Sequence, residues 1–322
     1  MKKILILGNS PAAVGVIEMV RSHDPSSSIR LWALDECAPF DRNQVPLWIS
    51  GEKNKNQLLV KPISFYEENH VELILNKNLE RLQLMKRTLL ADDKQRYEFD
   101  FLILTDGPSS KWPSVKGRQK SGVYSLRKWT EVRQLMDQWS LTDTVIIQSS
   151  RREGETLALS IRQKGKDVLW VIPEAQAPKD DTGQGNPFPY REALMGRQGI
   201  HLISGQEITE VLGNGDVMAV RLSSGKVMAC QMVIFVDCSA DLKFLQDTPL
   251  ATQDKIPVKE NFQTQLDFVF ACDDIAQLPS LPKSHTETFS LTELIHQGKV
   301  IGTHIVGGQQ QSLPTALTQA DL

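Results

Sequence analysis

KILILGNSPAA, running from Lys3 to Ala13, decides the reading of the fold. Ile4, Leu5, Ile6 and Leu7 form a short unbroken apolar run, as in a strand buried on both faces of a parallel sheet. Gly8 ends the run, and Asn9, Ser10, Pro11, Ala12 and Ala13 are all small or turn-forming. Apolar residues then continue at helical spacing, which predicts a helix over 14–21. Strand, tight turn and helix in that order bring backbone amides and a helix dipole to one point, where a pyrophosphate can be held. The turn is an imperfect GxGxxG: Gly8 keeps the first glycine, while Ser10 and Ala13 put small side chains at the second and third. A strand-to-helix turn without a ligand is the competing reading.

Glu36 adds to the ligand reading. A second strand is predicted over 29–34, ending at Asp35 and Glu36. That places a carboxylate roughly 20 residues past the turn, where one accepts hydrogen bonds from an adenosine ribose. Beyond a loop, short strands are predicted at 71–75, 79–84 and 87–90, followed by the strongly apolar 99–104. The order then recurs. A strand at 144–147, a helix at 154–164 and a strand at 168–172 precede strands at 207–211, 217–222 and 227–230, split by the turns Asn214-Gly215 and Ser224-Gly225, and then 232–236. One chain thus carries two copies of one architecture. A last strand at 268–271 and a helix over 291–306 complete the pattern, with a polar, Gln-rich tail after Gly308.

Composition narrows the classes. The 322 residues suffice for two cores. The 36 basic and 39 acidic residues, without a basic block, leave no electrostatic footprint for nucleic acid or an anionic membrane surface. No apolar run approaches the ~20 residues of a membrane span. The charged, apolar start suggests a signal peptide, but residues 8–11 interrupt it. The expectation is a cytoplasmic protein without membrane or nucleic-acid partners. Cys37, Cys230, Cys238 and Cys272 form no CxxC, so reduced thiols are expected rather than a disulfide framework or zinc site. The six histidines show no metal-ligand spacing, and none is assigned to a metal.

At this point a resemblance is visible. The segments GNSPAAVGVIEMVR from Gly8, DECAPFDRNQVPLWISGE from Asp35, YEFDFLILTDGPSSKWP from Tyr97, GVYSLR from Gly122, FQTQLDFVFACDDIAQ from Phe262 and IHQGKVIGTHIVGG from Ile295 resemble the FAD-dependent pyridine nucleotide-disulphide oxidoreductase superfamily. They follow its order over nearly the whole chain, nearest the NADH-oxidase-like, nitrite-reductase-like and rubredoxin-reductase-like members. The resemblance implies an FAD site in which Gly8, Ser10, Pro11, Ala12 and Ala13 surround the pyrophosphate and Glu36 holds the adenosine ribose. Arg42 would lie beside the flavin phosphates, Thr105 and Gly107 would stand at the ends of an Ala-Thr-Gly-like turn, and Asp274 would meet the ribityl chain. Taken singly, Arg42 also reads as a solvated arginine and Asp274 as a helix N-cap.

Departures from the family pattern carry information as well. Where some members have a redox cysteine, residues 40–49 read FDRNQVPLWI, so disulphide exchange is not expected and any redox chemistry falls to the flavin. No catalytic side chain is assigned. The second glycine-rich turn is replaced by Gln148-Ser149-Ser150-Arg151-Arg152-Glu153. Side chains then stand where backbone must approach a pyrophosphate, and Glu153 adds negative charge at a helix start. Arg151 and Arg152 offset part of that repulsion. The turn argues against NAD(P)H binding in the usual manner, although Glu155 survives. Asp106, Cys238 and Asp273 also replace residues usual near the cofactor.

The expected fold is α/β, with two Rossmann-like, three-layer ββα dinucleotide-binding domains, the second inserted in the first. Residues 1–118 and 240–308 are assigned to an FAD-binding domain, 119–239 to an NAD(P)-binding-like domain and 309–322 to a tail. Because the chain stops soon after its last helix, the dimer that many relatives form through a further domain is not implied. The functional expectation is an FAD-dependent oxidoreductase without a redox-active disulphide. It would pass electrons from a reduced nicotinamide or other donor to a small-molecule or redox-protein acceptor. The alternative is a degenerate FAD-binding or scaffold protein without nicotinamide-dependent activity.

Overall fold

The computed structural model describes residues 1–107, 110–173, 188–252, 254–281 and 289–307. The tail assigned to 309–322 lies outside these residues. The chain divides into two compact units, one made of Met1–Asp41, Leu59–Ser109 and Ser239–Leu322, the other of Arg42–Leu58 and Ser110–Cys238.

The chain begins in the first unit with β1 (Lys3–Leu7), α1 (Ala12–His23), β2 (Ser28–Trp32) and β3 (Val71–Ile74). A meander of β4 (Leu79–Gln83), β5 (Thr88–Ala91) and β6 (Arg96–Glu98) leads to β7 (Phe101–Leu104). It passes into the second unit through β8 (Val123–Tyr124), β9 (Thr144–Gln148), α2 (Arg152–Gln163), β10 (Asp167–Ile172) and β11 (Ile200–Ser204). A second meander, β12 (Ile208–Leu212), β13 (Ala219–Leu222) and β14 (Val227–Ala229), precedes β15 (Met232–Phe235). The return to the first unit supplies β16 (Val269–Ala271) and α3 (Leu291–Val306).

Each unit is built on a five-stranded parallel sheet. The first has the order β16-β7-β1-β2-β3 and the second β11-β10-β9-β15-β8. In both, the strand before the turn is central, flanked by the strand after the helix and the strand after the meander. The registers correspond too, with Leu7 opposite Leu104 in one and Gln148 opposite Phe235 in the other. Both therefore open a crevice at the C-terminal ends of their central strands, where ligands bind in doubly wound sheets.

One core joins the layers of the first unit: Ile6 and Ile103 of the sheet, Leu82 and Leu89 of the meander, and Ile17 and Ile301 of the helices are all buried together. In the second unit Ile146, Val171 and Val233 of the sheet bury with Val211 and Val220 of its meander. Gly298 on α3 sits so close to α1 that a Cβ there would lie 1.9 Å from the carbonyl oxygen of Ala12, which holds the start of α1 firmly. Ser290 and Glu293 form a reciprocal capping box that fixes where α3 begins.

Several features differ from the sequence expectation, among them β11, an edge strand of the second sheet that was not anticipated. The meander gains β6, whose alternation is too short to register as periodicity. The helix Trp129–Asp137, not anticipated, buries Trp129, Val132 and Leu135 on one face. Residues 42–58 and 110–118, assigned on sequence to the first domain, group with the second unit. Trp48 stacks on Trp129 with ring centroids 5.5 Å apart, and a Cβ on Gly51 would lie 2.8 Å from Lys164 Nζ. Aromatic stacking across such separation in the chain leaves no local trace in sequence.

Candidate dinucleotide sites

In the first unit the turn after β1 is tight. Gly8 has φ +125°, and a Cβ there would lie 2.1 Å from Thr105 Oγ1 and 2.3 Å from Asp106 Oδ1, so only glycine fits. Its amide donates to the Trp32 carbonyl at 2.8 Å. Ser10, Ala12 and Ala13 are buried, and Pro11 is the residue from which α1 starts. The Ser10 hydroxyl accepts the Ala12 amide at 3.2 Å, so the side chain at the second glycine position folds into the turn itself.

Thr105 is fully buried and donates to the Leu7 carbonyl at 3.3 Å, tying the end of β7 to the end of β1. Asp106 accepts the Asn9 amide at 2.7 Å and lies 3.2 Å from the Thr105 hydroxyl. Gly107 follows with φ +72°. Beyond β16, Asp273 adopts φ +61° and is buried. That left-handed backbone is why glycine suits the position; the aspartate is held there because its amide donates to Gln297 Oε1 at 2.8 Å and its carboxylate accepts the Asp274 amide at 2.7 Å. Asp274 is half-buried.

The structure thus brings the turn, Thr105 and Gly107 together, with Asp274 after the strand beside β7 and an exposed Glu36 four residues beyond β2. Arg42 lies in a short turn of the second unit, not in the body that carries Gly8. Among the described residues of the first unit, the buried atoms Asn9 Oδ1, Tyr66 Oη and His296 Nε2 have no hydrogen-bond partner. Buried polar atoms are normally satisfied. The orphaned Asn9 Oδ1 sits in the turn itself and suits a polar ligand there, so the residues of the turn fit the pyrophosphate end of FAD.

The second turn is built differently. Ser149 Oγ donates to Asp237 Oδ1 at 3.0 Å, while the Ser150 amide and hydroxyl donate to Asp237 Oδ2 at 2.7 Å and 2.9 Å. Arg151 Nε lies 3.6 Å from Asp237 Oδ1. Asp237 was not singled out in the sequence; its signal was a carboxylate immediately before Cys238. Glu153 and Glu155 both fall in the first turn of α2, as expected.

All four cysteines are free thiols. Burial pushes Cys230 and Cys238 up to about 12, and burial with the nearby Asp35 raises Cys37 as well. Thiols held protonated in this way are poor nucleophiles. No helix among the described residues is long and apolar enough to cross a membrane.

Two parallel sheets, each with a strand-turn-helix at its centre and a meander at its side, define a protein with two dinucleotide-binding folds. The sequence profile of the pyridine nucleotide-disulphide oxidoreductase family matches residues 2–297, and the chain belongs to that family. Among its relatives, the nitric oxide reductase FlRd-NAD(+) reductase of Vibrio vulnificus strain CMCP6 is 23% identical over 93% of this chain and 78% of its own length. Rubredoxin-NAD(+) reductase of Pseudomonas putida is 22% identical over 94% of this chain and 80% of its own length. The fold matches the ferredoxin reductase for the CYP199A2 system of Rhodopseudomonas palustris with a TM-score of 0.81, at 20% identity over 97% of this chain and 78% of that one.

Proposed function

We propose that the protein is an FAD-dependent oxidoreductase that passes electrons from a reduced nicotinamide or other donor to a redox protein or small-molecule acceptor. The observation that carries this reading is the convergence at the first crevice. The Gly8 turn, Thr105 and Gly107 stand on adjacent strand ends, with Asp274 beyond β16 and the orphaned Asn9 Oδ1 beside them. In this reading Gly8, Ser10, Pro11, Ala12 and Ala13 approach the pyrophosphate, Glu36 takes the ribose hydroxyls and Asp274 the ribityl chain. Arg42 belongs to the second unit and is assigned to the phosphates on family pattern alone.

FAD, when bound, supplies the ability to accept a hydride and release single electrons. The chain's own residues hold and shield it. The buried Thr105 and Ser10 keep water from the turn, and the start of α1, pinned by Gly298, presents its positive dipole end to the phosphates. A redox protein as partner is supported by relatives named as reductases of rubredoxin and of ferredoxin.

The test is the visible absorption spectrum of purified protein after incubation with FAD and removal of the excess. A retained flavin band that bleaches with dithionite is expected. Protein that stays colourless at saturating FAD overturns the reading.

A further inference from the structure

The two units present a carboxylate at matching places. Asp106 lies two residues past Leu104, which pairs with Leu7, and takes the amide of Asn9, two residues past Leu7. Asp237 lies two residues past Phe235, which pairs with Gln148, and takes the amide of Ser150, two residues past Gln148. Both bonds measure 2.7 Å.

What surrounds the two carboxylates differs. In the second unit both serine hydroxyls of the turn, one backbone amide and the Arg151 guanidinium converge on Asp237. Ser149 Oγ also accepts the Arg151 amide at 3.1 Å, which closes the turn around the acid. The turn is held in that shape from behind. Trp170 Nε1 donates to the Ser149 carbonyl at 2.9 Å, and Gly154 of α2 sits so near that a Cβ there would lie 2.5 Å from Ser149 Cβ.

Hydroxyls, an amide and a guanidinium at a helix start are the donors that would otherwise hold a phosphate. Here they are spent on a carboxylate of the same chain. An incoming pyrophosphate would have to displace that acid and would meet its charge at close range.

We propose that Asp237 is a built-in anion that closes the second turn, so that the second unit does not hold the pyrophosphate of NADH or NADPH there. This rests on the oxidoreductase reading only for its consequence, that the electron donor is one that does not need this turn.

The experiment reads anion binding without relying on flavin turnover. The full chain and its Asp237→Ala variant are melted in sodium phosphate and in sodium chloride of equal ionic strength. The variant is expected to gain ~2–4 °C more than the parent in phosphate over chloride, as binding to the native state requires, the general stabilising action of phosphate being common to both. Should Asp237→Ala not fold, Asp237→Asn, which keeps shape and loses charge, is melted in its place and is expected to shift in the same direction. In parallel, NADH and NADPH are titrated calorimetrically into the parent protein, and no saturable binding below millimolar concentration is expected. Saturable binding of either nucleotide to the parent overturns the proposal, as does an equal response to phosphate in parent and variant. A colourless protein would fail the oxidoreductase reading while leaving these measurements interpretable.

Discussion

Asn9 gives its backbone amide to the carboxylate of Asp106 at 2.7 Å, so an acid stands at the mouth of the turn assigned to the FAD phosphates. The bond fixes the turn, and the charge opposes its ligand. Both consequences can be separated by substitution.

Asp106→Asn keeps an acceptor for the Asn9 amide and removes the charge. FAD affinity is expected to rise by roughly 3- to 10-fold, the scale of one partly solvated charge removed from near a phosphate. Quenching of flavin fluorescence on titration checks it, and an unchanged or weaker affinity would show that Asp106 is screened from the phosphates.

Gly298→Ala places a methyl group against the Ala12 carbonyl, since a Cβ at this position would lie 1.9 Å from that oxygen. The two helices must separate, at a cost of about 2–4 kcal/mol, and the start of α1 shifts with them. Urea denaturation should show the lost stability, accompanied by weaker FAD retention. Full stability in this variant would mean that the helix pair yields easily.

Asp273 holds φ +61°, a backbone conformation that costs a side-chain-bearing residue roughly 1–2 kcal/mol. Asp273→Ala keeps that cost and loses the bond from the Asp274 amide, whereas Asp273→Gly removes the cost and loses the same bond. The glycine variant should therefore melt above the alanine variant. The reverse order would show that the left-handed conformation is not retained.

Glu18 accepts from Lys61 at 2.9 Å and Lys299 at 3.3 Å. Burial alone raises its pKa, but the hydrogen bonds and charges of the two lysines prevail and hold it below the ordinary glutamate value. A depressed carboxylate stabilises the fold above its unfolded pKa and loses that contribution as pH falls through the folded value. Glu18→Gln should lower stability at pH 7, by no more than ~1 kcal/mol for a group this exposed. The gap to the parent should close as the solution is taken below pH ~4. Chemical denaturation at several pH values measures it, and a gap constant with pH would remove the ion pairs from the account.

Much of the fold was legible because its signals are local. Ile4 to Leu7 is too short and too apolar to be anything but a buried strand before Gly8, and the same logic located β9 and β10 around the second turn. The α3 helix was read at Leu291 to Val306, and the structure shows what fixes those ends: Ser290 and Glu293 cap one and Gly307 takes the left-handed conformation at the other. Of the first site, Thr105 was pointed to by the family resemblance alone, while Gly8, Ser10 and Ala13 were legible from turn chemistry. The role of Gln297 in holding Asp273 was not, because it comes from a helix 24 residues away.

The sequence by itself determined that there are two copies of one strand-turn-helix architecture, and where each turn falls, because periodicity and turn chemistry act over a few neighbouring residues. Only the tertiary structure decided that residues 42–58 join the second unit and that Asp237, 87 residues from Ser150, occupies its turn. Those outcomes depend on the register of parallel strands and on stacking between distant segments, and neither leaves a mark on the residues in between.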